Sequence, residues 1–176
     1  VKYDGGGAVM NQGIHGVDLL QWLVGLPEEV MGYTTRRVHQ GIEVEDTAVA
    51  SLRFPDGALG TIEATTAAWP GWVMRIEICG ENGSARLEDG VITEWKFRDE
   101  AADGANSAGG DAGLGSGAAN PAGISIEGHR RQIADMVAAV AEDRPLAIEG
   151  PAARNAGALI NALYVSAASG RPEKVS

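Results

Sequence analysis

Cysteine occurs once in 176 residues, at Cys79. A lone thiol excludes an intramolecular disulfide framework and a thiolate metal cluster, and it points to a reducing compartment. Basic residues are also short, with 14 Lys and Arg against 24 Asp and Glu and a net charge of −10. The clustered cations that nucleic acid or an anionic membrane would require are missing, so neither is expected as a partner. A small neutral or polar ligand fits this balance better. No apolar run approaches membrane-spanning length and no charged-then-apolar leader is visible, so a cytoplasmic location is expected. Aromatic residues make up only 5%, yet a hydrophobic share of 44% can bury the core of about one domain without staples. The chain opens on Val1 and enters at once into a glycine-rich stretch with no strand before it, which suggests a piece of something longer.

The most informative stretch is Asp4 to Gln21, D-G-G-G-A-V-M-N-Q-G-I-H-G-V-D-L-L-Q. It reads as a glycine-rich turn feeding a helix with two stripes. Met10, Ile14, Val17, Leu20 and Val24 recur at three and four residues as an apolar face, while Asn11, His15, Asp18 and Trp22 form a second stripe beside it. Helical residues three and four apart are neighbours, so His15 lies between an amide and a carboxylate. An imidazole so flanked, with a pKa near working pH, is a candidate acid/base. The alternative is a hydrogen-bonded structural histidine, with Asp18 a surface carboxylate and Asn11 a polar first-turn residue.

Gly25-Leu26-Pro27 ends this helix, and a strand-rich block follows. Residues 30–38, 47–54, 58–67, 73–79, 84–88 and 91–97 are rich in Val, Ile, Thr and aromatics, with partial alternation. Pro55-Asp56-Gly57, Glu81-Asn82-Gly83 and Asp89-Gly90 are hairpin turns, so the strands pair antiparallel. In the strand from Ala58, neither alternating set is plainly solvated, as expected of a sheet with helices on one side and an interface or cleft on the other. Homo-oligomerisation through the open face is the corresponding expectation. Residues 101–123 collapse to Gly, Ala, Ser, Asn and Asp and read as a flexible low-complexity loop, a linker rather than a lid. Two helices close the chain. One carries Ile133, Met136, Val137 and Val140 as its apolar stripe, and the other starts at Gly150-Pro151 with Leu159, Ile160, Leu163, Tyr164 and Ala167 on its core face. The order helix, sheet, helix, helix defines an α+β fold with a large, mostly antiparallel sheet.

Other chemical candidates are weaker. Gly5-Gly6-Gly7 lacks the spacing of a dinucleotide or phosphate loop, so close backbone approach is the better use of these glycines. Gly113, Gly115 and Gly117 have the same defect. Glu43-Val44-Glu45-Asp46 is read as a solvated hairpin, and with His39 alone beside it no metal site is expected. His129 falls four residues before Ile133, on the stripe expected to be buried, and is read as structural; Arg130 and Arg131 are read as solvated. Trp69-Pro70-Gly71-Trp72 places two indoles around a turn, where they cap the core or line a ligand or subunit surface, the second being preferred.

The stretch G-G-G-A-V-M-N-Q-G-I-H-G-V-D-L-L-Q-W-L-V-G closely resembles the first helix of the C-terminal domain in the glucose–fructose oxidoreductase / inositol dehydrogenase (Gfo/Idh/MocA) family. Further segments resemble it in order: I-E-V-E-D-T-A-V-A-S-L-R-F-P-D-G-A-L-G-T-I-E-A-T-T from Ile42, I-C-G-E-N-G-S-A-R-L-E-D from Ile78 and N-P-A-G-I-S-I-E-G-H-R-R-Q-I-A-D from Asn120. The resemblance implies a single substrate-binding and oligomerisation domain over residues 1–176, of the C-terminal type found in glyceraldehyde-3-phosphate dehydrogenase. It also implies a separate N-terminal Rossmann domain that holds NAD or NADP and carries the catalytic lysine. His15 then matches the family acid/base acting on a sugar, cyclitol or polyol hydroxyl as hydride moves to or from nicotinamide. Asn11 stands where the family usually has aspartate; an amide can hydrogen-bond substrate but cannot take a proton. Asp18, Trp69 and Trp72 are the expected substrate contacts, and the chain alone is expected to be inactive. The contrasting expectation is a non-catalytic scaffold or ligand-binding module in which His15 is structural.

Overall fold

The computed structural model describes residues 5–99 and 126–176. The low-complexity segment 101–123 lies outside the described residues. Two compact units divide the chain, one formed by the part up to Gly71 together with Ile148–Ser176, the other by Trp72–Ala147.

In the first unit a π-helical turn, Val9–Gly13, runs straight into α1, Ile14–Val24. The expected single regular helix therefore has a wider first turn, with one more residue per hydrogen-bonded ring than an α turn. Gly25 ends α1 with φ of 84° while its N–H donates to the Gln21 carbonyl at 2.9 Å. Strands β1 (Glu29–Thr35), β2 (Thr47–Arg53) and β3 (Leu59–Thr65) follow. Helix α3, Gly150–Ser169, and the short β7, Glu173–Lys174, complete the unit. The sheet order is β3-β2-β1-β7 and all of its pairs are antiparallel. Between β2 and β3 the expected Pro55-Asp56-Gly57 turn is in place: the Gly57 N–H donates to the Phe54 carbonyl at 3.0 Å, with φ of 90° at the glycine. β7 was not expected from its two residues; it adds to the edge of β1 opposite Glu29 and Val30.

Alternation assigns the two faces of this sheet. Val30, Ala48, Ala50, Leu52 and Ile62 point inward with Phe54, where Val9 and Val17 of the first helical segment and Leu159, Ile160 and Leu163 of α3 meet them. The opposite face carries Tyr33, Val49 and Leu59 exposed, so the helices cover one side only. Val24, expected on the buried stripe, is partly exposed at the helix end, whereas Gln21 is buried in its place. Gln21 is satisfied there: its Nε2 donates to Asp18 Oδ1 at 3.1 Å and its Oε1 accepts from Asn155 Nδ2 of α3 at 3.3 Å.

α3 sits very close to β1. A Cβ on Gly32 would lie 2.9 Å from the Leu163 carbonyl oxygen, so only glycine fits. Beyond the reach of β7, the Gly32 N–H has no strand partner and donates instead to Ser166 Oγ at 3.0 Å. Ser166 Oγ in turn donates to the Arg171 carbonyl at 2.6 Å, tying strand, helix and the turn after Gly170 together.

In the second unit β4 (Arg75–Cys79), β5 (Gly83–Glu88) and β6 (Val91–Phe97) form an antiparallel sheet in that order, with a bulge between Arg86 and Leu87. Cys79 ends β4 beside a turn, as expected, and is exposed. The same unit holds α2, Glu127–Glu142, closed by Asp143 at φ of 49°. Here the sequence expectation fails. Ile133, Met136, Val137 and Val140 are 59 to 77% exposed, and His129 is exposed with them. The apolar periodicity is present, but no described element of its own unit lies over it. Across the described residues, no helix is long and apolar enough to cross a membrane.

Leu163 is fully buried against β1, so Leu163→Ala should lower the unfolding free energy by about 2–5 kcal/mol. Gly32→Ala should cost about 1–3 kcal/mol through overpacking against the same residue. Urea unfolding of the two variants checks both values, and a Gly32→Ala protein as stable as the parent would contradict the close approach.

Candidate functional site

The helical segment 9–24 begins without a cap of its own. Neither Ala8, at the N-cap of the π turn, nor Gly13, at that of α1, offers a capping side chain, although the first amides of a helix need acceptors. They find them in the bend before β2. The Ala8 N–H donates to the Glu45 carbonyl at 3.1 Å, and the Val9 N–H donates to Glu45 Oε1 at 3.1 Å. The same carboxylate oxygen accepts the Tyr164 hydroxyl of α3 at 2.8 Å. Burial, followed by this hydrogen bond, pushes the Tyr164 phenol up to about 12. A negative charge at a helix N-terminus is also favourable to the helix dipole.

Asp46 fixes the neighbouring loop. Its Oδ2 accepts the N–H groups of Arg37, Val38 and His39 at 3.0, 2.7 and 3.0 Å, and Thr47 Oγ1 donates to Oδ1 at 3.2 Å. The hydrogen bond from His39, then that from Val38, holds this carboxyl well below its ordinary range. His39 Nε2 also lies 3.0 Å from the Thr66 carbonyl. The expectation of a solvated acidic hairpin at 43–46 is therefore corrected: Glu45 is half-buried, Asp46 is fully buried, and both serve as acceptors for other segments. The expected strand 30–38 stops at Thr35 because residues 37–39 turn their amides onto Asp46.

The glycines before the helix are packed rather than open. A Cβ on Gly6 would lie 2.7 Å from Met10 Cβ, and one on Gly7 would overlap the Glu45 carbonyl and carboxylate. A dinucleotide pyrophosphate does not fit here, since the Glu45 carboxylate occupies the place where a helix N-terminus would receive it.

On this frame Asn11 lies within the π turn, His15 is the second residue of α1 and Asp18 follows one turn later, all of them exposed. Asp18 accepts from Gln21 and Asn11 Oδ1 accepts from Gln12 Nε2 at 3.3 Å, so neither is bonded to His15. Among the described residues none hydrogen-bonds the imidazole. Trp22, on the same stripe, is also exposed. Trp69 and Trp72 are 94% and 86% exposed and do not cap the core. Trp69 belongs to the first unit and Trp72 to the second. Among the described residues no group of three or more His, Cys, Asp or Glu side chains is arranged to hold a metal ion. A groove of about 460 Å³ along α3 and β7 is lined by residues that include Arg154, Asn161 and Lys174 and by none of the stripe on α1.

Sequence reasoning missed the roles of Glu45, Asp46 and Gln21, and of Tyr164 it gave the place on the core face but not the bond to Glu45. One signal was available for Glu45: a helix start lacking Ser, Thr, Asp or Asn at its cap must borrow an acceptor from elsewhere.

Residues 1–86 match the model of the GFO/IDH/MocA C-terminal domain. Inositol 2-dehydrogenase 2 of Paenarthrobacter aurescens is 35% identical over 89 residues, which is 48% of this chain and 26% of that protein. Myo-inositol 2-dehydrogenase of Thermotoga maritima is 33% identical over 102 residues, 56% of this chain and 30% of that protein. Among solved structures, the WlbA dehydrogenase of Bordetella pertussis in complex with NADH and UDP-GlcNAcA superposes with a TM-score of 0.79 at 34% identity, covering 97% of this chain and 48% of that one. Residues 1–86 thus carry the likeness to the Gfo/Idh/MocA C-terminal domain, and the chain has the α+β fold of its solved relative. It spans about half the length of the solved relative and about a quarter to a third of the curated ones.

The state of Asp46 sets an acid limit. Its folded pKa is depressed, so its contribution to stability is complete above the ordinary value of 3.8 and is lost as pH falls below it. Asp46→Asn should destabilise the protein at neutral pH and flatten the loss of stability between about pH 5 and pH 2. Urea unfolding across that range measures it, and an unchanged pH slope in the variant would contradict the assignment.

Proposed function

We propose that this chain is the substrate-binding and oligomerisation domain of an NAD(P)-dependent oxidoreductase acting on a sugar, cyclitol or related polyol. The observation that carries this reading is the exposure of His15 on α1, unbonded by any described residue, on a helix whose opposite face and N-terminus are both fixed. An imidazole spent on structure would be buried and bonded. One left free on a rigid element suits proton exchange with a bound hydroxyl. Asn11 is suited to donate or accept a hydrogen bond with the substrate, and Asp18 and the exposed indole of Trp69 to contact its polar and apolar faces.

The relatives support the substrate class: two are named inositol dehydrogenases, and the WlbA enzyme holds a nucleotide sugar acid together with NADH. The nicotinamide, which would exchange a hydride with the carbinol carbon, belongs on this reading to an N-terminal Rossmann domain contributed by the rest of the protein. The packed glycine turn of this chain supports that division. The exposed Tyr33, Val49 and Leu59 on the uncovered sheet face support association of copies through that face.

One specific feature favours the alternative of a non-catalytic module: Asn11, which stands where the family it resembles usually has aspartate, cannot carry charge. Kinetics decide between them. The isolated chain should not reduce NAD(P) with any polyol. In the complete protein His15→Ala should lower turnover by roughly 100- to 10,000-fold with nucleotide affinity nearly unchanged, read from the absorbance of the reduced nicotinamide. Turnover equal to the parent would remove the catalytic role of His15. For the open face, Leu59→Glu should shift sedimentation toward smaller species, and an unaltered profile would move the interface elsewhere.

A further inference from the structure

We propose that Glu45 and Tyr164 are positioning residues that anchor the start of the helical segment 9–24 and so fix where the π turn with Asn11 and the first turn of α1 with His15 stand. The inference rests on the catalytic reading of His15 and names the groups through which the fold controls that site.

The π turn Val9–Gly13 lies directly between the anchored amides and His15. A π ring holds one residue more than an α ring, so a change of the turn between the two forms would alter the angle between Asn11 and His15 about the helix axis. The bonds at the start of the turn come from Glu45, whose carbonyl takes the Ala8 N–H and whose carboxylate takes the Val9 N–H. Tyr164 holds that carboxylate from the far side at 2.8 Å and is itself carried on α3, the most deeply buried helix of the unit. Gly7 admits Glu45 so close because it lacks a Cβ. At the far end of the turn, a Cβ on Gly13 would already touch Ala64 of β3 at 3.4 Å, so the sheet limits how the turn can move. Neither Glu45 nor Tyr164 is assigned a contact with substrate; both act through the helix.

The test uses the complete, cofactor-loaded protein and four variants. Glu45→Ala should lower kcat by roughly 10- to 100-fold and displace the pH profile of kcat, leaving the KM for nucleotide unaltered. Glu45→Gln, which keeps an oxygen acceptor for the Val9 amide, should recover most of the loss. Tyr164→Phe should lower kcat several-fold at an unchanged Tm. Parental kcat and pH profile in folded Glu45→Ala would overturn the proposal, as would Glu45→Gln no better than Glu45→Ala. Should Glu45→Ala fail to fold, Tyr164→Phe decides: reduced kcat with a shifted pH profile supports the proposal, and parental behaviour overturns it. His15→Ala in the same series separates the two layers. If it is inactive while Glu45→Ala behaves as the parent, only the positioning role falls; if it turns over normally, the catalytic reading itself falls.

Discussion

The structure depends on one short acidic bend. Glu45 supplies the acceptors that the helix over residues 9–24 lacks at its own start, and Asp46 gathers the amides of 37–39 into the loop that precedes it. Unsatisfied amides at a helix start are costly, as is a buried carboxylate without donors, and these contacts of Glu45 and Asp46 remove both costs at once. The same residues join segments far apart in the chain, since Glu45 meets Val9 and Tyr164 across separations of 36 and 119 residues. The helix is thereby fixed at its beginning by charge and hydrogen bonds and along its length by packing.

That arrangement divides the helix by face. Val9 and Val17 turn toward the core formed with β2, β3 and α3, and Gln21 links to Asn155. Asn11, His15, Asp18 and Trp22 are left outward on a surface that the described residues do not cover. A rigid scaffold with uncommitted polar groups is what an acid/base site requires, because reorganisation during reaction would cost more than any single contact supplies. The sheet shows a similar asymmetry: α1 and α3 cover one face, while Tyr33, Val49 and Leu59 remain on the other. Both open surfaces are in keeping with a domain that works against further protein, and the chain does span only part of its relatives.

Local chemistry in the sequence was a reliable guide where the cause is local. Gly25 and Pro27 ended the first helix, Pro55-Asp56-Gly57 made its hairpin, and Gly170 capped the last helix with φ of 67°. The outward side of α1 was also legible, because helical spacing puts His15 and Asp18 on one side. What escaped depends on distant partners. Nothing near Glu45 or Asp46 shows that Val9, Tyr164 and Thr66 will meet them, and an acidic run reads as solvated until those partners are known. The π turn escaped for the same reason, since periodicity assumes a constant rise and rotation. In α2 the period was right and the burial wrong: an apolar stripe on a helix states what the helix can cover, not that a partner is at hand.

The central claim is that the exposed imidazole of His15 exchanges a proton with a substrate hydroxyl. A crystal structure of the complete protein with reduced cofactor and a polyol or sugar bound tests it most directly. The account requires a ring nitrogen of His15 within about 2.6–3.2 Å of the reacting hydroxyl oxygen, with Asn11 on the same ligand. A ligand held in the cleft with that hydroxyl bonded to other groups, and His15 facing bulk water, would contradict it.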